Sequence, residues 1–191
     1  LEIGYMDIKF ENSNIVYLVE EVVLSIVDIA KDKNIEIIFN TEEEEIITAI
    51  DEEKIVRVIL ILLSNSIKFS KEKGDICVEM RREDEEVVIK VTDNGIGINE
   101  DMKEKIFDKF KRVQSVSNLN VDHEGSGLGL YIAKGFIELH NGSISVVSEV
   151  EKGSTFIITI PIVIIKNDLH NINHMDEDEL NRIIKIELSD L

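Results

Sequence analysis

The sequence predicts an α+β sandwich, a single sheet with its helices on one face. Three observations lead there. Strand-like runs come in pairs between single helices, instead of alternating one for one with helices as in a doubly wound parallel sheet. Three segments, Ile15 to Ala30, Asp51 to Phe69 and Leu128 to Leu139, carry apolar residues at helical spacing. Apolar residues make up 43% of the 191 residues, enough for one core and tight for two domains.

Taken in order, Tyr5 to Glu11 alternate loosely and read as a short strand. In the first helix Leu18, Val19, Val22, Val23, Ile26 and Ile29 follow a helical period. Ile35 to Phe39 and Ile46 to Ile50 read as strands flanking a solvated acidic turn, Glu42 to Glu45. Asp51 caps the second helix, which buries Ile55, Val58, Ile59, Leu62 and Leu63. Ile76 to Met80 and Val87 to Thr92 form a hairpin across the charged stretch Arg81 to Glu86. Asn99 is placed to cap a short helix, and the polar stretch Gln114 to Glu124 has no apolar period. The third helix ends at Asn141-Gly142, a pair suited to left-handed backbone. Ile144 to Val147 and Thr155 to Ile160 form the last hairpin around Lys152-Gly153. Beyond Pro161 the texture turns polar, Leu180 to Leu188 is only weakly amphipathic, and residues 162–191 read as an appended tail of open role.

The formal net charge is −18 and the sequence pI is near 4.6. That field repels nucleic acid and anionic membranes, so neither is expected as a partner, and it must be offset locally wherever a polyanion docks. Cys77 is the only cysteine, which excludes an intrachain disulfide, fits a reducing cytoplasm, and reads as a small core residue on a strand. No apolar run reaches the length of a membrane span, and the start carries no signal-peptide pattern. The chain opens at Leu1 without an initiator methionine and reads as a fragment, with residues 1–4 as the end of an upstream helix and 5–161 as the domain.

Four separated motifs carry chemistry. In Leu62-Leu63-Ser64-Asn65-Ser66-Ile67-Lys68-Phe69, Asn65 and Lys68 share a helix face. An amide oxygen suits Mg²⁺ and an ammonium suits phosphate, although polar residues opposite an apolar stripe are ordinarily just the wet face. In Asp93-Asn94-Gly95-Ile96-Gly97 the glycines permit close backbone approach and the carboxylate can accept from an exocyclic amine; alone, it is also a tight turn. Gly125-Ser126-Gly127-Leu128-Gly129-Leu130 runs straight into a helix, whose free N–H groups and dipole make a phosphate site. No strand precedes it and no Gly-Lys-Ser/Thr follows it, so it is neither a dinucleotide fingerprint nor a P-loop. Lys152-Gly153-Ser154-Thr155-Phe156 leads into the last strand and would in isolation be a hairpin turn.

In order and spacing these motifs resemble the N box and the three glycine boxes of the Bergerat-fold ATPase superfamily, which includes gyrase, a heat-shock chaperone, mismatch-repair ATPases and histidine kinases. Ile106-Phe107-Asp108-Lys109-Phe110-Lys111-Arg112 resembles the F box of histidine kinases. The resemblance covers roughly residues 1–161. It implies a two-layer sandwich: a mixed sheet of about five strands plus an N-terminal strand, three main helices on one face, and a mobile lid from Asn99 to Ser126. It implies ATP and Mg²⁺ as ligands, with Asn65 holding the metal and Lys68 a phosphate. Asp93 would read the adenine amino group, helped by Thr155 through a shared water, while Gly95 and Gly97 shape the adenine wall. Gly125, Gly127 and Gly129 would hinge the lid, and Leu128 would offer its N–H to phosphate. Lys109 and Arg112 supply positive charge, Arg112 being the better phosphate candidate, and Phe107 and Phe110 are either core anchors or lid latches.

Two features depart from that pattern. Ile61 stands one turn before Asn65, where histidine kinases usually carry Asn and gyrase-type ATPases a Glu base; Ile can neither activate water nor ligate a metal. No histidine lies five residues before the only proline, Pro161, so His123, His140, His170 and His174 all fail the phosphoacceptor pattern, and the chain holds no catalytic nucleophile. His140 reads as structural, and His170 with His174 lacks a third metal ligand. The expected function is the ATP-binding half of a sensor histidine kinase, a protein-histidine kinase inactive alone in autophosphorylation. Its partners would be its own dimerisation domain and a response regulator, in a homodimeric parent that is cytoplasmic or anchored at the membrane. The alternatives are a degenerate nucleotide-binding scaffold, an ATP-driven clamp, and an anti-sigma-factor kinase.

Overall fold

The computed structural model describes residues 7–71, 73–110, 127–166 and 174–189. The elements run β1 (Glu11–Asn14), α1 (Ile15–Asp32), β2 (Glu36–Thr41), β3 (Ile47–Ile50), α2 (Glu52–Phe69), β4 (Asp75–Glu83), β5 (Glu86–Asp93), α3 (Gly129–Leu139), β6 (Ser143–Glu149), β7 (Gly153–Pro161) and α4 (Glu177–Glu187). Short 3₁₀ turns cover Glu100–Met102 and Lys105–Phe107.

Five strands form a mixed sheet in the order β2-β4-β5-β7-β6, matching the expected α+β sandwich. Only β2 and β4 are parallel, and their connection passes through α2, as a parallel crossover requires. Alternation decides which face is covered. Ile76, Val78 and Met80 of β4, Val87, Ile89 and Val91 of β5, and Phe156, Ile158 and Ile160 of β7 are buried toward the helices. Cys77 alternates with them and is not a core residue. It lies half-buried on the other face, taking a long hydrogen bond from Asn40 Nδ2 at 3.4 Å, and partial burial pushes its thiol up.

Tyr5 and Met6 lie outside the described residues, Asp7 to Phe10 form no strand, and the first strand described is Glu11–Asn14. Its sequence is polar and its role is set by buried hydrogen bonds. The Asn14 side chain caps α1 through Val16 N–H at 3.1 Å and also accepts from Ile46 N–H at 3.3 Å. β1 pairs with β3 in a separate two-stranded sheet, so the strands flanking the acidic turn belong to different sheets. Asn99 makes no side-chain cap; the turn after it closes only through the backbone, Met102 N–H to Asn99 O.

The stretch after Pro161 is built into the domain. Val163 is paired to Ala49 N–H and to the Thr48 hydroxyl, and the Asn12 carboxamide both donates to and accepts from the Ile165 backbone. A fourth helix, α4, then packs on α2 with Ile183 and Ile184 buried, and Arg57 bridges Glu53 and Glu187. Leu180, Ile183, Ile184 and Leu188 line its packed side at i, i+3, i+4 and i+8, a stronger amphipathic stripe than the weak one expected from the sequence. Residues 1–4 lie outside the described residues.

Candidate functional site

Asp93 ends β5 on the helix-facing side and is 6% exposed. Its Oδ1 accepts from Gly95 N–H at 2.9 Å and from Ser154 N–H at 3.2 Å, while among the described residues Oδ2 meets only the Ser66 hydroxyl, at 3.5 Å. Burial pushes the carboxyl above its usual range and the two backbone bonds pull the other way. One oxygen is thus spent on orientation and the other keeps acceptor capacity for a donor such as an exocyclic amine.

The loop after Asp93 is wedged between two backbones. A Cβ on Gly95 would sit 2.3 Å from the Phe69 carbonyl oxygen at the end of α2. Gly97 has φ +70°, and a Cβ there would meet the Glu149 carbonyl oxygen at 2.0 Å. Ile96 N–H to Phe69 O and Glu151 N–H to Ile96 O tie the loop to both neighbours. The glycines therefore make room for protein backbone as well as shaping the wall beside Asp93.

Thr155 does not join Asp93. Register pairs Asp93 with Ser154, and alternation turns Thr155 to the opposite face, where its hydroxyl lies 3.1 Å from that of Thr92. The neighbouring hydroxyls on Asp93's side are Ser66, Ser148 and Ser154. Ser154 Oγ is 3.0 Å from Ser148 Oγ, which donates to Gly153 O and accepts from Ile98 N–H, both at 2.8 Å. Counting alternation outward from Asp93 was the signal that would have identified Ser154.

Asn65 and Lys68 stand half-buried in the last turns of α2. Among the described residues neither side chain has a hydrogen bond or ion pair. Ser66, beside Asn65, reaches Asp93 and so joins the first two motifs. Ile61 is 7% exposed, and its Cγ2 lies 3.2 Å from where a Cβ on Gly129 would sit. That contact seats the start of α3 against α2 one turn before Asn65. Leu128 occupies the N-cap without a side-chain cap bond, and the backbone N–H groups of the first turn of a helix are the kind that receive an anion.

The end of the F-box segment folds against this helix start. Phe110 N–H donates to Gly127 O at 3.1 Å, and the Lys109 ammonium stands 4.9 Å from the centre of the Tyr131 ring. The two aromatics split in role: Phe107 is buried in the core, while Phe110 is 72% exposed at φ +60°. Arg112, Gly125 and the centre of the expected lid lie outside the described residues, as do His123 and His170. His140 is structural, 3% exposed and hydrogen-bonded to backbone through both ring nitrogens.

Among the described residues no group of three or more His, Cys, Asp or Glu could hold a metal, and no helix is long and apolar enough to cross a membrane.

Residues 50–164 match the family described as histidine kinase-, DNA gyrase B- and HSP90-like ATPase. The sensor histidine kinase WalK of Bacillus subtilis is 35% identical over 136 residues, 70% of this chain. The chain spans only 22% of the length of that kinase. The catalytic domain of histidine kinase ThkA superposes with a TM-score of 0.71 at 30% identity, over 81% of this chain and 97% of that domain. Full-length ShkA in complex with AMPPNP gives 0.73 at 25% identity, over 85% of this chain and 34% of ShkA.

Proposed function

The chain belongs to the histidine kinase-, DNA gyrase B- and HSP90-like ATPase family, and we propose that it is the ATP-binding catalytic part of a two-component sensor histidine kinase. The observation that carries this is the convergence of three motifs on the C-terminal half of α2. Ser66 ties α2 to Asp93, and Ile61 seats the glycine-led start of α3 beside Asn65.

Asp93 accepts from the adenine amino group, with Ser154 its neighbour on that side of the sheet. Asn65 supplies an oxygen to Mg²⁺, which neutralises charge on the phosphates when bound. Lys68, Lys109 and the N–H groups opening α3 hold the phosphate oxygens, offsetting the acidic field of the domain. Arg112 and Gly125 belong to the same proposal by motif. The chain's own residues bind and orient the donor and exclude a water-activating base, because Ile61 fills that place with hydrocarbon. The γ-phosphoryl group is then available to a histidine on a dimerisation domain, and from there to an aspartate of a response regulator. ThkA has been seen in complex with its response regulator TrrA, which supports that partner class.

Calorimetry with a non-hydrolysable ATP analogue and Mg²⁺, alongside incubation with γ-phosphate-labelled ATP, tests the reading. Binding by this chain, together with no phosphate label on the chain itself, is the expected result. No binding at millimolar nucleotide would favour the scaffold alternative, and steady ATP hydrolysis would favour the clamp.

A further inference from the structure

Ile61 and Gly129 join α2 and α3 at the nucleotide end, and the opposite ends of the same helices are joined by hydrogen bonds. Asp51 N–H donates to His140 Nε2 at 3.0 Å, which places the ring proton on Nδ1, and Nδ1–H donates to Phe136 O at 2.7 Å. Asp51 also anchors the segment before β1. Lys9 N–H donates to its Oδ2 at 2.9 Å, the oxygen that also takes the Lys54 ammonium at 2.6 Å. Oδ1 caps α2 through Lys54 N–H at 3.1 Å. The Phe10 ring stands edge-on to the His140 ring, with centroids 5.4 Å apart. A single carboxylate and a single imidazole thus hold residues 9 and 10, the start of α2 and the end of α3.

We propose that this cluster couples the docking of residues 7–10 to the nucleotide site, with His140 as the positioning residue. α2 and α3 run antiparallel, because the start of α2 meets the end of α3 at Asp51 and His140, while Ile61, midway along α2, meets the start of α3 at Gly129. Released at the His140 end, the two helices can tilt about the Ile61–Gly129 contact. The tilt re-aims the N–H groups opening α3 relative to Asn65 and Lys68, which lie about one and two turns beyond the contact on α2. A ligand that spans both helices fixes that spacing and, by reciprocity, favours the docked state of residues 7–10. A domain joined ahead of residue 7 would thereby reach the nucleotide site without touching it. This coupling rests on the nucleotide-binding reading above.

The experiment uses the 191-residue chain, calorimetry with Mg²⁺ and a non-hydrolysable ATP analogue, and amide exchange over residues 7–14 with and without nucleotide. Nucleotide is expected to raise protection of those amides. Phe10→Ala, at a residue 38% exposed, is expected to keep the fold by circular dichroism. It should weaken nucleotide binding roughly fivefold to tenfold. His140→Phe should weaken binding similarly, the double variant should lose less than the product of the two, and His140→Gln, which can still accept from Asp51 N–H, should recover most of the affinity. Should His140→Phe not fold, Phe10→Ala and the exchange data decide by themselves. Nucleotide binding with unchanged protection and an unaffected Phe10→Ala overturns the coupling alone. No binding by the unaltered chain overturns both the coupling and the proposed function.

Discussion

Ile61 and Gly129 meet across the α2–α3 seam, with the Ile61 Cγ2 3.2 Å from the place of a glycine Cβ. The contact puts hydrocarbon at the seam, one turn before Asn65. Ile61→Ala removes packing at a residue 7% exposed and is expected to cost about 2–4 kcal/mol. Urea unfolding should show a lower midpoint with the slope kept.

Asp93 is expected to separate binding from stability. Asp93→Asn keeps an oxygen for the Gly95 and Ser154 N–H groups and removes a buried charge whose ionisation burial opposes. Stability should hold or rise. Nucleotide affinity should fall roughly tenfold to a hundredfold, the worth of a charge-assisted hydrogen bond. Parallel calorimetry and urea titration check the pair of outcomes.

Ser154 and Thr155 lie on opposite faces of β7, so their variants should behave differently. Ser154→Ala is expected to weaken nucleotide binding measurably. Thr155→Val loses only the hydrogen bond to Thr92, costs about 1 kcal/mol of stability, and leaves affinity within roughly twofold.

His140 should give the domain an acid-sensitive step in stability. Burial first, with the Lys54 charge adding to it, lowers its folded pKa; the bond to Phe136 O and the Asp51 carboxylate oppose this. The unfolded chain therefore takes up the proton first as pH falls. The contribution is complete above the unfolded value near 6.5 and is lost as pH drops from there toward the lower folded value. Unfolding free energies measured between pH 7.5 and 5 should decline (the range set by the ordinary histidine value), and His140→Gln should flatten that decline.

The docking of α4 is tested by Ile183→Ala. The side chain is fully buried in the interface with α2, so the loss should be about 2–4 kcal/mol, visible as a lower thermal midpoint. A variant that melts like the unaltered chain would show α4 to be dispensable.

Much of this architecture was legible because its signals are local. Apolar spacing marked α1, α2 and α3 to within a few residues, and Asp51 marked its cap. Paired β-rich runs marked both hairpins, and the order of the motifs marked the family. β1 escaped because Asn12 and Asn14 are held by side-chain hydrogen bonds to the distant backbone of Ile165 and Ile46, which hydropathy cannot register. α4 was underrated although its own spacing puts Leu180, Ile183, Ile184 and Leu188 on one side; what that spacing could not give is the surface on α2 that covers it.

The sequence by itself determined the fold class and the family, since both are written in residue types and short spacings. Only the tertiary structure decided which hydroxyl stands beside Asp93, what Ile61 packs against, and that His140 ties α2 to α3. Those facts depend on strand register and on which helix ends meet, and both are fixed by packing between segments tens of residues apart.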